Sequence, residues 1–127
     1  MPSLNRVTLM GNLGQDPELK YLQDGTPVAN FSIAVNEKWR DRSGQTQERV
    51  NWFRIVVWRK LADICAEYLR KGSPVYVEGK LVNREWEKDG DRRFSIEVVA
   101  REIQFLSTRG EGEETNYNQS SEEDIPF

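Results

Sequence analysis

Alternation of apolar and polar residues dominates the first 106 positions of the chain. A period of two places successive side chains on opposite faces of a strand, so it predicts half-buried β-strands. Five stretches carry the pattern, at residues 6–10, 28–35, 50–58, 74–82 and 92–106. In the third stretch the alternation places Phe53, Ile55 and Val57 on the core face. The opposite face carries Trp52, Arg54, Val56 and Trp58.

A helical spacing of apolar residues occurs in one convincing place, residues 61–70. The stripe that such a helix would pack against a core consists of Leu61, Ile64, Cys65, Tyr68 and Leu69. Gly72 follows, and glycine is the residue that most often ends a helix. The sequence therefore predicts one helix between the third and fourth strands.

The predicted order of elements is three strands, a helix and two strands. This is the order of an OB-fold, a five-stranded Greek-key barrel with its helix after the third strand. The polar residues 37–48 include Gly44 and predict a long, mobile hairpin loop between the second and third strands. Residues 88–91 predict a tight turn between the last two strands. The fold class is thus all-β with one helix.

Charge divides the chain into two unlike parts. Residues 1–106 carry a net charge of +2, and residues 107–127 carry −5. The second part has almost no apolar residues before its last three, so it cannot offset the entropy of ordering, and a disordered acidic tail is predicted. We divide the chain into a folded domain at 1–106, a short linker at 107–121 and an acidic tip at 122–127. A tail that serves only solubility has no use for a terminal phenylalanine.

Composition excludes several classes of function. The chain has one cysteine, Cys65, and no histidine, so it has no intrachain disulfide, no Cys–His pair and no Ser–His pair. Zinc would need carboxylates alone, which is uncommon in a structural site. No carboxylate stands beside a credible base or nucleophile. We expect no catalytic residue, no metal, no cofactor, no secretory leader and no membrane span.

Four tryptophans do not fit the core: Trp39, Trp52, Trp58 and Trp86. Each has a lysine or arginine within two residues. Exposed indoles next to cations suit unpaired nucleotides, because rings stack on bases whatever their sequence and cations meet phosphates. An alternative role for some of the rings and the low net charge weigh against this interpretation. One or two of these rings can instead anchor the core or a subunit contact, and a charge of +2 is low for a nucleic-acid-binding domain.

Four strings of residues then carry a family resemblance. GNLGQDPE at residues 11–18, EYLRKGS at 67–73, VYVEG at 75–79 and DIPF at 124–127 resemble the bacterial single-stranded DNA-binding protein family. The likeness covers about residues 4–106 and the last few residues. It implies an OB-fold that assembles as a homotetramer and coats single-stranded DNA without sequence preference in replication, recombination and repair. It also implies a location in the bacterial cytoplasm, on the nucleoid.

By position, the resemblance implies base stacking by Trp39, Trp52, Trp58 and Trp86. The third of these is more often phenylalanine in the family. The cations that the resemblance assigns to phosphate contacts are Arg6, Lys20, Arg40, Arg42, Arg54, Lys60, Arg70, Lys71, Arg84 and Arg93. Glu85 departs from the family pattern, because relatives often carry a base beside the last tryptophan.

The resemblance also gives the tip a role, the docking of genome-maintenance enzymes. The residues concerned are Glu122, Glu123, Asp124, Ile125, Pro126 and Phe127. Other classes remain open at this point. They are an OB-fold adaptor of the primosome, which would lack such a tip, an RNA-binding OB module, since stacking ignores the 2′-hydroxyl, and an enzyme on this fold.

Overall fold

Strands account for most of the folded chain, and one helix interrupts them. The computed structural model describes residues 1–106 and 115–118, so the predicted tip and most of the predicted linker lie outside the described residues. The elements are β1 Val7–Leu13, β2 Glu18–Tyr21, β3 Pro27–Arg40, β4 Thr46–Trp58, α1 Arg59–Tyr68, β5 Pro74–Lys88, β6 Asp91–Phe105 and β7 Thr115–Asn118.

Five of these strands close into a barrel. Their order is β1-β5-β6-β4-β3, and β3 returns to β1 through the pairs Asn12–Ala34 and Leu13–Ile33. The pairings are antiparallel except for β4 with β6, which is parallel. β2 extends the sheet at β3, and β7 pairs with β6. The predicted arrangement of three strands, a helix and two strands describes the barrel, and β2 and β7 are additions to it.

The core confirms the predicted alternation. In β3, Ala29, Phe31 and Ile33 are buried, and in β4, Ile55 and Val57 are buried. The helix contributes three buried residues, Leu61, Ala62 and Cys65. Burial of the Cys65 side chain raises the pKa of its thiol to about 12. The helix ends at Tyr68, two residues before the predicted end, with Leu69 as its C-cap. Gly72 lies in the turn that follows rather than at the cap.

The prediction of a long loop at residues 37–48 is wrong. The ladder between β3 and β4 continues without a break from Val28–Trp58 to Arg40–Thr46, so the two strands form a ribbon that extends beyond the barrel. Polar sequence does not prevent pairing here, because charged residues face each other across the ribbon. Arg49 binds Glu37 at 2.9 Å, and Lys38 binds Glu48 at 3.2 Å.

Two short turns end the ribbons. At the tip of β3–β4, the Asp41 carboxylate accepts hydrogen bonds from the backbone N–H groups of Ser43 at 2.9 Å and Gln45 at 3.0 Å. At the tip of β5–β6, Asp89 and Gly90 both have positive φ, 54° and 81°, as a two-residue type I′ hairpin requires. The second turn confirms the tight turn predicted at residues 88–91.

Candidate nucleic-acid interface

The alternation of β4 determines which side chains face outward. Because Phe53, Ile55 and Val57 point to the core, Trp52 and Trp58 lie on the opposite face, with Arg54 between them. Trp52 is 60% exposed, and Trp58 is half-buried. Core packing thus holds a row of indole, guanidinium and indole on the outside of the barrel.

An open groove runs over this face, and we call it the outer groove. It crosses strands β2 to β6 and has a volume of about 440 Å³. It collects four of the predicted site residues, namely Lys20, Arg54, Trp58 and Arg84. Its walls also include Val28, Asn30, Val56, Val82, Asn83, Glu97 and Val99. An indole and three cations around one open groove can hold a ligand that is both aromatic and anionic.

Acidic side chains already accompany the cations of the outer groove. Glu97 lies 3.0 Å from Arg54 Nε and 3.4 Å from Arg84 Nη1. The Lys20 ammonium lies 3.0 Å from Glu18, in an exposed pair. Exposed pairs of this kind contribute little to stability, so Lys20 is readily available to a phosphate.

The Trp52 ring packs against a glycine. The ring lies over Gly14, and a Cβ built at residue 14 would come within 2.8 Å of Trp52 Cη2 and closer still to Cζ3. Gly14 belongs to the first string of the family resemblance. In the structure it is the surface on which an exposed indole lies.

Trp86 lies on the β5–β6 ribbon, on the same face as Arg84. The Arg84 guanidinium lies over the Trp86 ring, 5.4 Å from its centroid, and Arg93 is the cross-strand partner of Trp86. Strand alternation therefore puts Trp86 on the face of the ribbon that carries Arg84, which lines the outer groove. Glu85 points to the other face, where it binds Arg92 at 3.1 Å, so its departure from the family pattern lies on the face opposite to Trp86.

Trp39 is placed differently from the other three tryptophans. The unbroken β3–β4 register pairs it with Gln47 and puts it in phase with Ile33 and Val35, on the face opposite to Trp52. Its ring carries the Arg49 guanidinium 5.3 Å from its centroid. The adjacent cations Arg40 and Arg42 are exposed near the tip of the ribbon. The structure therefore does not bring Trp39 into the outer groove.

Four of the predicted phosphate contacts lie elsewhere. Arg6 pairs with Glu78 at 3.7 Å on the outer face of β1 and β5. Arg70 donates hydrogen bonds to the carbonyls of Ala66 at 2.9 Å and Leu69 at 2.7 Å, at the end of the helix. Lys71 is exposed next to Arg70, and Lys60 is exposed in the first turn of α1.

Sequence reasoning missed Glu97 and Asn30 as parts of the site. Glu97 was detectable in principle, because it is a charged residue directly before the apolar run Val98–Ala100 in a strand. Among residues 1–106 and 115–118, the structure places no group of three metal-ligating side chains together. In the same residues, no helix is long and apolar enough to cross a membrane.

The comparison with known proteins now decides the family. The model of the single-strand binding protein family matches residues 4–106. The chain belongs to this family. Its members are binding proteins rather than enzymes, and the family's OB-fold agrees with the barrel described above, so the fold predicted from the order of elements is confirmed.

Bacterial relatives share close to half of the aligned residues. The chain is 47% identical to single-stranded DNA-binding protein 1 of Chlorobaculum tepidum over 86% of its length and 68% of that protein. It is 44% identical to single-stranded DNA-binding protein 1 of Xylella fastidiosa over 86% of its length and 82% of the relative. Among solved structures, the Plasmodium falciparum SSB complex with ssDNA matches with a TM-score of 0.79 and 37% identity. That match covers 84% of this chain and 98% of the other.

Proposed function

We propose that this chain binds single-stranded DNA without sequence preference, by stacking bases on exposed indoles and pairing phosphates with flanking cations. One observation carries the proposal, the outer groove, which places Trp58 among Lys20, Arg54 and Arg84. Trp52 and Trp86 extend the same face in two directions. Stacking contributes about 1–3 kcal/mol per base and tolerates any base, since every base has a π-face.

The comparisons support the same ligand. The bacterial relatives are named as single-stranded DNA-binding proteins, and the solved neighbour is a complex with single-stranded DNA. We extend the proposal to Trp39 and to the ribbon cations Arg40 and Arg42. Trp39 lies on the other face of the β3–β4 ribbon, so a strand that leaves the outer groove reaches it by passing around the ribbon, whereas Arg40 shares the face of Trp52.

The proposed assembly is a homotetramer. In the described part of the chain, residues 7–11 of β1 pair with β5 on one side, and β1 meets β3 only at Asn12 and Leu13. The backbone of Ala34 lies against Gly11, so the other edge is open to a strand of a second copy at residues 7–10. Met10 is 58% exposed on the outer face of β1, which offers apolar area for such a contact.

The acidic tip, residues 122–127, is proposed to recruit enzymes of replication, recombination and repair in the bacterial cytoplasm. Ile125 and Phe127 suit an apolar pocket, and Glu122, Glu123 and Asp124 suit a basic rim around it. The net charge of −5 in residues 107–127 opposes contact between this tail and DNA, which keeps it available to a protein partner.

A fluorescence titration tests DNA binding. Oligothymidylate, oligoadenylate and a duplex of equal length are added to the full chain at two salt concentrations, and tryptophan emission is followed. We expect quenching by both single strands, weaker binding at high salt, and little response to the duplex. Oligouridylate distinguishes an RNA-binding module from a DNA-binding one. Saturation by the duplex at the same concentration as the single strands would refute the proposal.

Deletion of residues 124–127 tests the division between body and tip. We expect the Kd for oligothymidylate to stay within about twofold, because the residues of the outer groove all precede residue 107. We expect retention of replication and repair enzymes from a bacterial lysate by the immobilised protein to be lost. The matched control replaces Asn116 and Asn118 with serine. A collapse of DNA binding in the deletion variant would contradict the division.

A further inference from the structure

Glu97 is a buried carboxylate beneath the outer groove. It lies on β6 directly before the core residue Val98, and its side chain is 11% exposed. A buried carboxylate is costly unless cations and hydrogen bonds satisfy it. Here two cations do so, and both belong to the proposed DNA-binding surface.

Both arginines contact the same oxygen atom. Glu97 Oε2 lies 3.0 Å from Arg54 Nε and 3.4 Å from Arg84 Nη1. Each guanidinium also makes a second contact. Arg54 Nη2 lies 3.4 Å from Asn30 Oδ1, and the Arg84 guanidinium covers the Trp86 ring. One carboxylate thus links Arg54, which lies between the two tryptophans of β4, to Arg84, which covers Trp86 on the β5–β6 ribbon.

The two arginines are much more exposed to solvent than the carboxylate that they share. The Arg54 and Arg84 side chains are 47% and 59% exposed, so a ligand in the groove can reach them. The carboxylate lies behind them and cannot move into solvent without leaving its pocket. A phosphate that reaches either arginine must therefore share it with a fixed negative charge.

We propose that Glu97 limits the affinity of the outer groove for phosphate. It holds Arg54 and Arg84 in position and cancels one of the two positive charges that they bring. Binding then depends more on stacking and less on salt-sensitive phosphate contacts, which keeps a coating protein easy to displace from the strand. This inference rests on the proposed function and concerns the same groove.

The decisive variant is Glu97→Gln, which keeps the shape and one hydrogen-bond acceptor while removing the charge. The probe is an oligothymidylate of about eight nucleotides, within the range that one OB-fold binds. Each additional phosphate neutralised on a single strand steepens the slope of log K against log salt by about 0.7. We expect that change in slope, with binding about eightfold tighter at 50 mM salt and less than about twofold tighter at 0.5 M.

Two matched variants separate this effect from others. Glu67→Gln removes the same charge from an exposed site on α1, away from the groove, and is expected to bind like the wild type. Glu97→Asp keeps the charge but shortens the side chain, so its salt slope should equal that of the wild type. Circular dichroism and thermal unfolding are followed for every variant.

Several results would overturn the inference. Weaker binding by Glu97→Gln with an unchanged slope would mean that the carboxylate only positions the arginines. An equal gain in Glu67→Gln would assign the effect to net charge, and unfolding of Glu97→Gln would make the carboxylate a purely structural partner. Failure of the wild-type protein to bind the oligonucleotide would instead reject the proposed function itself.

Discussion

Two faces of the barrel carry nearly the same ion cluster. On the outer groove, Glu97 lies between Arg54 and Arg84. On the outer face of β1, β5 and β6, Glu78 lies 3.7 Å from Arg6 and 3.1 Å from Arg101. Both carboxylates are largely buried, at 11% and 14% exposure of their side chains, and all four arginines are far more open.

The surroundings of the two clusters differ. Trp58 and an open groove of about 440 Å³ lie next to Glu97. Next to Glu78, Tyr76 donates its hydroxyl at 3.1 Å, and Met10 is exposed on the neighbouring strand. A carboxylate between arginines therefore identifies neither a ligand site nor an assembly face. Indoles around an open groove favour the first face as the proposed ligand site, and an unpaired strand edge favours the second as the proposed assembly face.

The largest effect on DNA binding is expected from truncation of Trp52, on the face of the outer groove. Trp52→Ala removes a stacking surface and should cost about 1–3 kcal/mol of binding free energy, which raises the Kd for oligothymidylate about 5- to 160-fold. The matched control is Tyr68→Ala on the helix, because Tyr68 is 58% exposed and Trp52 is 60% exposed. Equal Kd values for the two variants, measured by fluorescence anisotropy, would mean that the ligand lies elsewhere.

Replacing one arginine from each cluster compares the two faces directly. Arg54→Gln should lower the slope of log K against log salt by about 0.7, because one phosphate contact is lost. Arg101→Gln removes the same charge beside Glu78 and should leave the slope unchanged. Titrations of a labelled short oligonucleotide from 50 mM to 0.5 M salt measure both. A reduced slope for Arg101→Gln would mean that DNA contacts the face that carries Glu78.

A smaller effect is expected at Gly14. Gly14→Ala forces the Trp52 ring to shift away from a new Cβ, so we expect a loss of DNA affinity of about two- to fivefold, below that of Trp52→Ala. The double variant should bind as weakly as Trp52→Ala alone, since residue 14 acts through the ring. Additive losses in the Kd values would show that Gly14 has a separate role.

The smallest effect concerns the pH dependence of the Glu78 cluster. Hydrogen bonds from Arg101 and Tyr76 hold the pKa of Glu78 below its ordinary value of 4.5. Because the folded-state pKa is lowered, its contribution to stability is complete above pH 4.5 and is lost as the pH falls through the folded value. Glu78→Gln should therefore melt below the wild type at pH 7, and the gap should close as the pH falls below 4.5. A gap in Tm that is constant with pH would refute this.

Much of the fold follows from local pattern. The strict alternation in β3 and β4 predicted which residues enter the core, and Asp89–Gly90 predicted its turn because few residues accept positive φ. The same alternation predicted that Trp52 and Trp58 would share a face with Arg54. β2 has four residues, too few for a period of two to stand out, and it was missed.

The sequence by itself determined the barrel strands, the helix and the outward position of the indoles on β4, since these depend on a period of two or 3.6 residues. Only the tertiary structure decided that residues 37–48 form a paired ribbon, that Trp39 lies on its other face, and that Glu97 joins Arg54 to Arg84. Strand pairing and long-range ion pairs depend on distances between residues far apart in the chain. A local pattern of hydrophobicity does not contain those distances.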